Sequence, residues 1–361
     1  MVVGVIAFLG IVLFLSPKHL VAPGSTIKDE VTPEDKTVEV VATGLNVPWD
    51  IAFLPDGDML VTERPGQLRR LGEHPATMDI PGVLKSGEGG LMGIALHPSF
   101  SKNHFVYLYF TTSVDGQTNK IDRFTLNDNN TLTKDKTILS DIPSSIYHDG
   151  GQIEFGPDGM LYVTTGDAQQ PNLAPDLSSL AGKILRLTPD GDIPSDNPFG
   201  TAVWSYGHRN PQGIAWDKQG RLWATEHGRS GIQSGFDELN LIEKGKNYGW
   251  PDSQGTTVKE GTVGPVLQSG ATTTWAPSGI AYANGKLFFA GLRGVGLYEV
   301  SVDASGQVTN AVKRFPDVYG RLRAVVLGPD GALYVTTSNR DGRGKVQEGD
   351  DKIIRIPKSA F

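Results

Sequence analysis

The chain of 361 residues contains no cysteine. That excludes disulfides, thiolate nucleophiles, thiolate-bound iron–sulfur clusters and cysteine-based zinc sites together. No Lys/Arg-rich block of the kind that follows a phosphate backbone is present, and the formal net charge is −7, so nucleic acid is not an expected partner. There is no G-x-S-x-G elbow and no H-E-x-x-H pair. A phosphate-binding P-loop and a G-x-G-x-x-G turn before a helix are also missing. A single long apolar run, Val2 to Leu15, is followed by Ser16, Pro17, Lys18 and His19. It is shorter than the ~20 residues a spanning helix needs and has the length of a signal-peptide core. Residues 1–24 are therefore expected to be an export signal or short membrane anchor, and 25–36 a polar linker. The expected location is outside the cytoplasm.

What is plentiful is turn chemistry: 45 Gly and 23 Pro. One pattern recurs, in which an apolar strand enters a Pro-Asp-Gly turn and leaves as an alternating strand. Its clear copies are Phe53–Thr62, Phe155–Thr164 and Leu327–Thr336; Trp216–Thr225 and Tyr282–Phe289 are weaker, and Leu96–Phe110 is loosest. Pro pre-sets φ, and Asp-Gly supplies the positive-φ position of a tight connection. Spacings of roughly 40–65 residues signal an array of like units. Six copies predict an all-β, six-bladed β-propeller of four-stranded antiparallel blades over residues 37–361, preceded by the N-terminal apolar segment. Pairing Thr37–Val41 with Lys352–Ile356 would close the ring and remove its open edges.

Propeller sites lie in loops at the channel mouth. Five segments stand out: Gly87–Gly93 with Glu88; Tyr147–Gln152 with His148, followed by Gly166–Asp167; Tyr206–Gly213 with His208, Arg209 and Asn210; Glu226–Arg229, running on through Asp237–Asn240 to Asn247–Pro251; and Arg321–Arg323, with Arg293 on the preceding blade. Several arginines imply an anionic ligand, because their forks match carboxylates. A His beside an Asp can take a proton near neutral pH. Oxidising a sugar also needs a hydride acceptor, which side chains do not provide, so a cofactor is required. His97 and His104 read as structural, and His74 carries no signal.

H-D-G-G, G-H-R-N-P-Q-G, N-Y-G-W-P and R-L-R, in that order, resemble the soluble quinoprotein glucose dehydrogenases, and more closely their aldose sugar dehydrogenase branch, from about Val40 to Ile356. The resemblance implies oxidation of aldoses at C1 to lactones with pyrroloquinoline quinone (PQQ) and calcium, and an external electron acceptor. It implies His148 as the base on the anomeric hydroxyl, Asp167 as the carboxylate orienting it, and Arg209 and Asn210 against the cofactor. Arg321 and Arg323 match the pair that binds cofactor carboxylates, with Arg293 beside them. Glu88 falls on the substrate side, and the carbonyls of Gly228 and Arg229 match calcium ligands. Family members studied most carry Gln at Glu88, Lys at Arg293 and Pro at Arg229, which bears on the choice of sugar more than on the reaction. Inserts of the glucose-specific branch are missing, so broad aldose tolerance is expected. Two other readings remain open. A propeller kept only for binding would need no such base, and a metal-dependent lactonase would need side-chain carboxylates and Asn around its ion. Dye reduction with glucose on adding quinone and calcium, or activity on a lactone alone, separates them. Monomer and homodimer are equally compatible with the sequence.

Overall fold

In the computed structural model, residues 27–29, 38–113, 116–231 and 234–361 are described. The proposed export segment and Thr37 lie outside them. Six antiparallel sheets follow one another along the chain. Blade 1 runs Pro48–Phe53, Met59–Glu63, Gln67–Leu71, Ala76–Asp79, and blade 2 runs Leu91–Leu96, Phe105–Thr112, Thr118–Leu126, Leu132–Pro143. Blade 3 is Ile153–Phe155, Leu161–Thr165, Lys183–Leu187, Val203–Tyr206, and blade 4 is Pro211–Trp216, Leu222–Glu226, Glu238–Ile242, Leu267–Gln268. Blade 5 is Pro277–Ala283, Lys286–Gly291, Gly296–Val302, Val308–Arg314; Lys28–Asp29 adds a parallel strand at its outer edge. Blade 6 takes Leu322–Leu327, Leu333–Thr337 and Ile353–Ile356 from the C-terminal end of the chain and Glu39–Ala42 from the other end. Glu39 sits opposite Arg355 and Val40 opposite Ile354, so the ring closes by the expected pairing. The chain is a six-bladed β-propeller.

The turn chemistry works as its residues dictate. Gly57, Gly159, Gly220, Gly285 and Gly331 have φ of 94°, 74°, 76°, 82° and 77°. In the three clear copies the turn Asp accepts the N–H two residues on, as in Asp158 Oδ1 to Met160 N at 3.1 Å and Asp330 Oδ1 to Ala332 N at 3.1 Å. Its other oxygen receives an arginine of the third strand: Arg186 on Asp158 at 2.9 Å, Arg355 on Asp330 at 2.7 Å, and Arg70 on Asp56 at 2.5 Å. The loosest copy departs from this. After His97 the chain makes a one-turn helix, Phe100–Asn103, ended by His104 in the left-handed region. His97 packs against Phe105, Tyr107 and Phe155, in keeping with a structural role.

Apolar side chains of each blade pack against the next, so the core is a ring of clusters between blades. The innermost strands surround the axis and share a pattern before the turn: Asp50-Ile-Ala, Gly93-Ile-Ala, Gln152-Ile-Glu, Gly213-Ile-Ala, Gly279-Ile-Ala and Ala324-Val-Val. The loops preceding these strands gather at one end of the axis. Among the described residues no helix is long and apolar enough to cross a membrane.

Candidate active site

At that end lies a pocket of about 570 Å³. Its wall includes Glu88, His148, Arg209, Gly228, Arg229, Arg293, Arg321 and Arg323, so segments scattered over the sequence converge on one opening. Asp167 and Asn210 stand behind the wall. Residues to which the sequence assigned no role join it, among them Tyr147, Gln169, His227, Ser230 and Arg343.

His148 is held in the left-handed region (φ 66°) just before blade 3. Its Nδ1 lies 2.7 Å from Asp167 Oδ1, and Asp167 is fully buried at the end of the next strand. The other oxygen of Asp167 accepts the Trp250 indole N–H at 2.8 Å. A carboxylate on Nδ1 fixes the tautomer and leaves Nε2 available to accept a proton. This approach needs Gly166, since a methyl there would collide with the His148 carbonyl. Asn210 Oδ1 accepts the Gly150 N–H at 3.0 Å, tying the same loop to blade 4, while its Nδ2 is buried without a partner.

Arg209 has no carboxylate partner among the described residues. Its guanidinium lies 5.3 Å from the Trp250 ring and donates to Ser230 Oγ at 3.1 Å. Burial lowers its pKa from the usual arginine value. Its backbone N–H donates to Glu226, whose second oxygen meets His208 Nδ1 at 2.9 Å; His208 Nε2 in turn meets Ser205 Oγ at 2.9 Å. Ser205 and His208 are fully buried, so this Ser–His–Glu row shapes the segment and has no access to substrate. Arg323 is nearly buried above Trp49, 5.4 Å from its ring, with Gln212 and Ser278 as neutral partners. Burial pulls its pKa down to about 9. Arg321 differs, because Nε and Nη2 both donate to Asp341 Oδ2, at 2.9 and 2.6 Å.

Among the described residues, the Nε atoms of Arg209, Arg229 and Arg323, with His227 Nε2, are buried without a hydrogen-bond partner. Buried donors are normally satisfied. An anion in this pocket would satisfy them, and Arg293 stands exposed on the same wall. Two carboxylates also line the pocket, Asp237 and, beside the base, Glu88. Burial disfavours the charge of Glu88, but the charges of His227 and Arg343 and hydrogen bonds from Arg343 and His148 N outweigh that and bring its pKa to about 2. Beside it, burial lowers the His227 imidazole to about 4. At Gly228 and Arg229 the Arg229 carbonyl accepts the Gly235 N–H at 3.2 Å. Asp237 lines the pocket beside them, fixed by N–H groups of Gly228, Trp275 and Ala276. A methyl at Gly228 would strike the Phe236 carbonyl.

Sequence comparison places this geometry among known proteins. The Glucose / Sorbosone dehydrogenase family model matches residues 45–354. A glucose dehydrogenase-type oxidoreductase from Thermus thermophilus is 46% identical; the match covers 88% of this chain and 99% of that one, with a TM-score of 0.84. The PQQ-bound aldose sugar dehydrogenase of Streptomyces coelicolor is 43% identical over 89% of this chain and 97% of its own, with a TM-score of 0.82. Aldose sugar dehydrogenase YliI of Escherichia coli K12 is 35% identical over 349 residues, 86% of this chain and 92% of its own. With the propeller and its arginine-lined mouth, these matches make the chain an oxidoreductase of the glucose/sorbosone dehydrogenase family.

Proposed function

We propose that the protein oxidises aldose sugars at C1 to lactones, using PQQ and calcium, outside the cytoplasm. The observation that carries the reading is the His148–Asp167 pair facing a pocket walled by guanidinium groups with unsatisfied donors. The residues present fit a polycarboxylate quinone: Arg323, Arg293 and Arg321 are suited to its carboxylates, and Arg209 to its redox ring. The Gly228 and Arg229 carbonyls suit calcium, which prefers oxygen donors. When bound, the quinone supplies the two-electron acceptor and calcium polarises it as a Lewis acid.

The chain's own contribution is local. His148 Nε2 takes the proton of the anomeric hydroxyl, and the buried Asp167 carboxylate stabilises the imidazolium that forms. Trp250 and Gln169 N–H groups hold Asp167 in place. Arg209, without a carboxylate partner among the described residues, is available to stabilise negative charge that develops as the sugar is oxidised. Glu88, ionised and beside His148, is placed to accept hydrogen bonds from sugar hydroxyls. The test is reconstitution: purified protein, quinone and calcium, with dye reduction followed over a panel of aldoses. Turnover that needs both additions is expected. Absence of turnover with every aldose, or hydrolysis of a lactone without quinone, overturns the reading. The export proposal is tested by finding the mature protein, or its membrane-attached form, outside the cytoplasm; retention in the cytoplasm overturns it.

A further inference from the structure

A continuous row of hydrogen bonds joins the cofactor side of the pocket to the base. Arg321 donates twice to Asp341 Oδ2, at 2.9 and 2.6 Å. Asp341 Oδ1 accepts the backbone N–H of Arg343 at 2.9 Å. Arg343 Nη1 donates to Glu88 Oε1 at 2.8 Å, and Glu88 Oε2 accepts the His148 N–H at 3.2 Å. Glu88 is anchored in turn by its own N–H on Ile146 O at 3.0 Å, and the Arg343 guanidinium lies over Tyr147 at 5.4 Å, next in sequence to the base. Residues of blade 6, of the loop before blade 2 and of the loop before blade 3 thus meet through one arginine.

We propose that Arg343 is a positioning residue that couples the cofactor anchor Arg321 to the loop carrying His148, through Asp341 and Glu88. Magnitude favours this over a stabilising role. The Arg343 side chain is 51% exposed, and an ion pair so exposed contributes little to folding. Its partner Glu88 is only 14% exposed and is already bonded to the base's own backbone, so what the pair fixes is the geometry of the site. Small displacements of a reacting group are expensive: a ~1 Å misplacement can cost ~10²-fold in rate. The inference rests on the reading of His148 and Arg321 given above.

The experiment compares wild type, Arg343→Ala, Arg343→Lys, Glu88→Gln and the Ala/Gln double variant, each loaded with quinone and calcium. Wild-type turnover with aldoses tests the underlying reading independently of Arg343. If the row acts as a unit, Arg343→Ala and Glu88→Gln each lower kcat by ~10-fold or more, and the double variant is no worse than the poorer single one within about twofold. The Arg343→Lys variant recovers part of the loss by keeping a positive charge on Glu88. Quinone affinity, read by quenching of tryptophan fluorescence, stays within about threefold of wild type in Arg343→Ala, consistent with an effect passed on through Glu88. Amide exchange of the segment containing His148 N–H speeds up in Arg343→Ala with no quinone present. Losses that multiply in the double variant, or Arg343→Ala with wild-type kcat and unchanged exchange, overturn the proposal.

Discussion

Two spaces lie along the propeller, one walled mainly by loops and the other lined by the six inner strands, and the two differ in charge. At the strand starts the mouth of about 570 Å³ is crowded with guanidinium groups. Farther along, a channel space of about 430 Å³ is lined by the Gly-Ile-Ala-type repeat, and its charged side chains are two carboxylates. Asp50 replaces the small residue of the repeat on blade 1, Gln152 does so on blade 3, and Glu154 stands where other blades carry Ala or Val. Asp50 Oδ2 accepts Gln152 Nε2 at 3.0 Å and Ile94 N at 3.2 Å. Burial raises both acids: Asp50 to about 7 despite hydrogen bonds from Ile94, Ile51 and Gln152, and Glu154 to about 8 with the Asp50 charge raising it further. Strand positions are confined by packing against the next blade and vary little; the loops before them escape that constraint and hold the chemistry.

The largest expected effect breaks the mouth. His148→Gln should lower turnover by ~10²–10⁴-fold while quinone binding, followed by fluorescence, persists; equal loss of both would mean that His148 holds the ligand instead. Next is Arg323→Leu, which should weaken quinone binding by ~10–100-fold, the loss of one charge-assisted contact. Arg323→Lys keeps a positive charge but loses the planar fork, so it should recover only part of that affinity. Quinone affinity unchanged in Arg323→Leu would remove Arg323 from the anion site.

Glu154→Gln sharpens the other half of the comparison. A carboxyl whose folded pKa is raised holds its proton in the folded state after the unfolded chain has released it. Stability therefore declines as pH climbs from about 4.5 to about 8, and the Gln variant lacks that part of the decline. At about pH 9 the variant should be more stable by ~1 kcal/mol, since the channel leaves Glu154 partly exposed to solvent, and near wild type at about pH 4. Thermal unfolding across this range checks it, and a constant difference at all pH values would refute it. The smallest effect is at the rim: Asp330→Asn removes a partly exposed pair with Arg355 and should cost ~1 kcal/mol or less. A larger loss would mean that the charge of the turn Asp holds the turn, since an Asn side-chain oxygen can still accept the Ala332 N–H.

The architecture was legible because a turn needing Gly at positive φ repeats with a fixed partner strand, so Asp56-Gly57, Asp158-Gly159 and Asp330-Gly331 announce the blades. The loosest copy concealed a helical turn, since Ser99 and Phe100 carry no φ requirement that marks one. In the site, His148, Arg209, Arg321 and Arg323 were readable from motifs in loops next to repeat strands. Arg343 was not. It lies in the connection between Leu333–Thr337 and Ile353–Ile356, which resembles ordinary polar loop, and its partner Glu88 is distant in sequence. The available signal was the length of that connection and its run Asn339-Arg340-Asp341-Gly342-Arg343. Trp250 was quoted within N-Y-G-W-P, but its bond to Asp167 depends on a contact between blades that spacing does not reveal.

Blade 6 is completed by one strand that precedes blades 1 to 5 in the chain and by three that follow them. A ribosome must therefore have made those five blades before the circle can shut, and until then Glu39–Ala42 waits without its mate. Once shut, neither terminus-proximal strand can peel away without opening the sheet. A protease nibbling from either end meets a fastened seam, and a version shortened by that first strand would be left with an exposed, adhesive border.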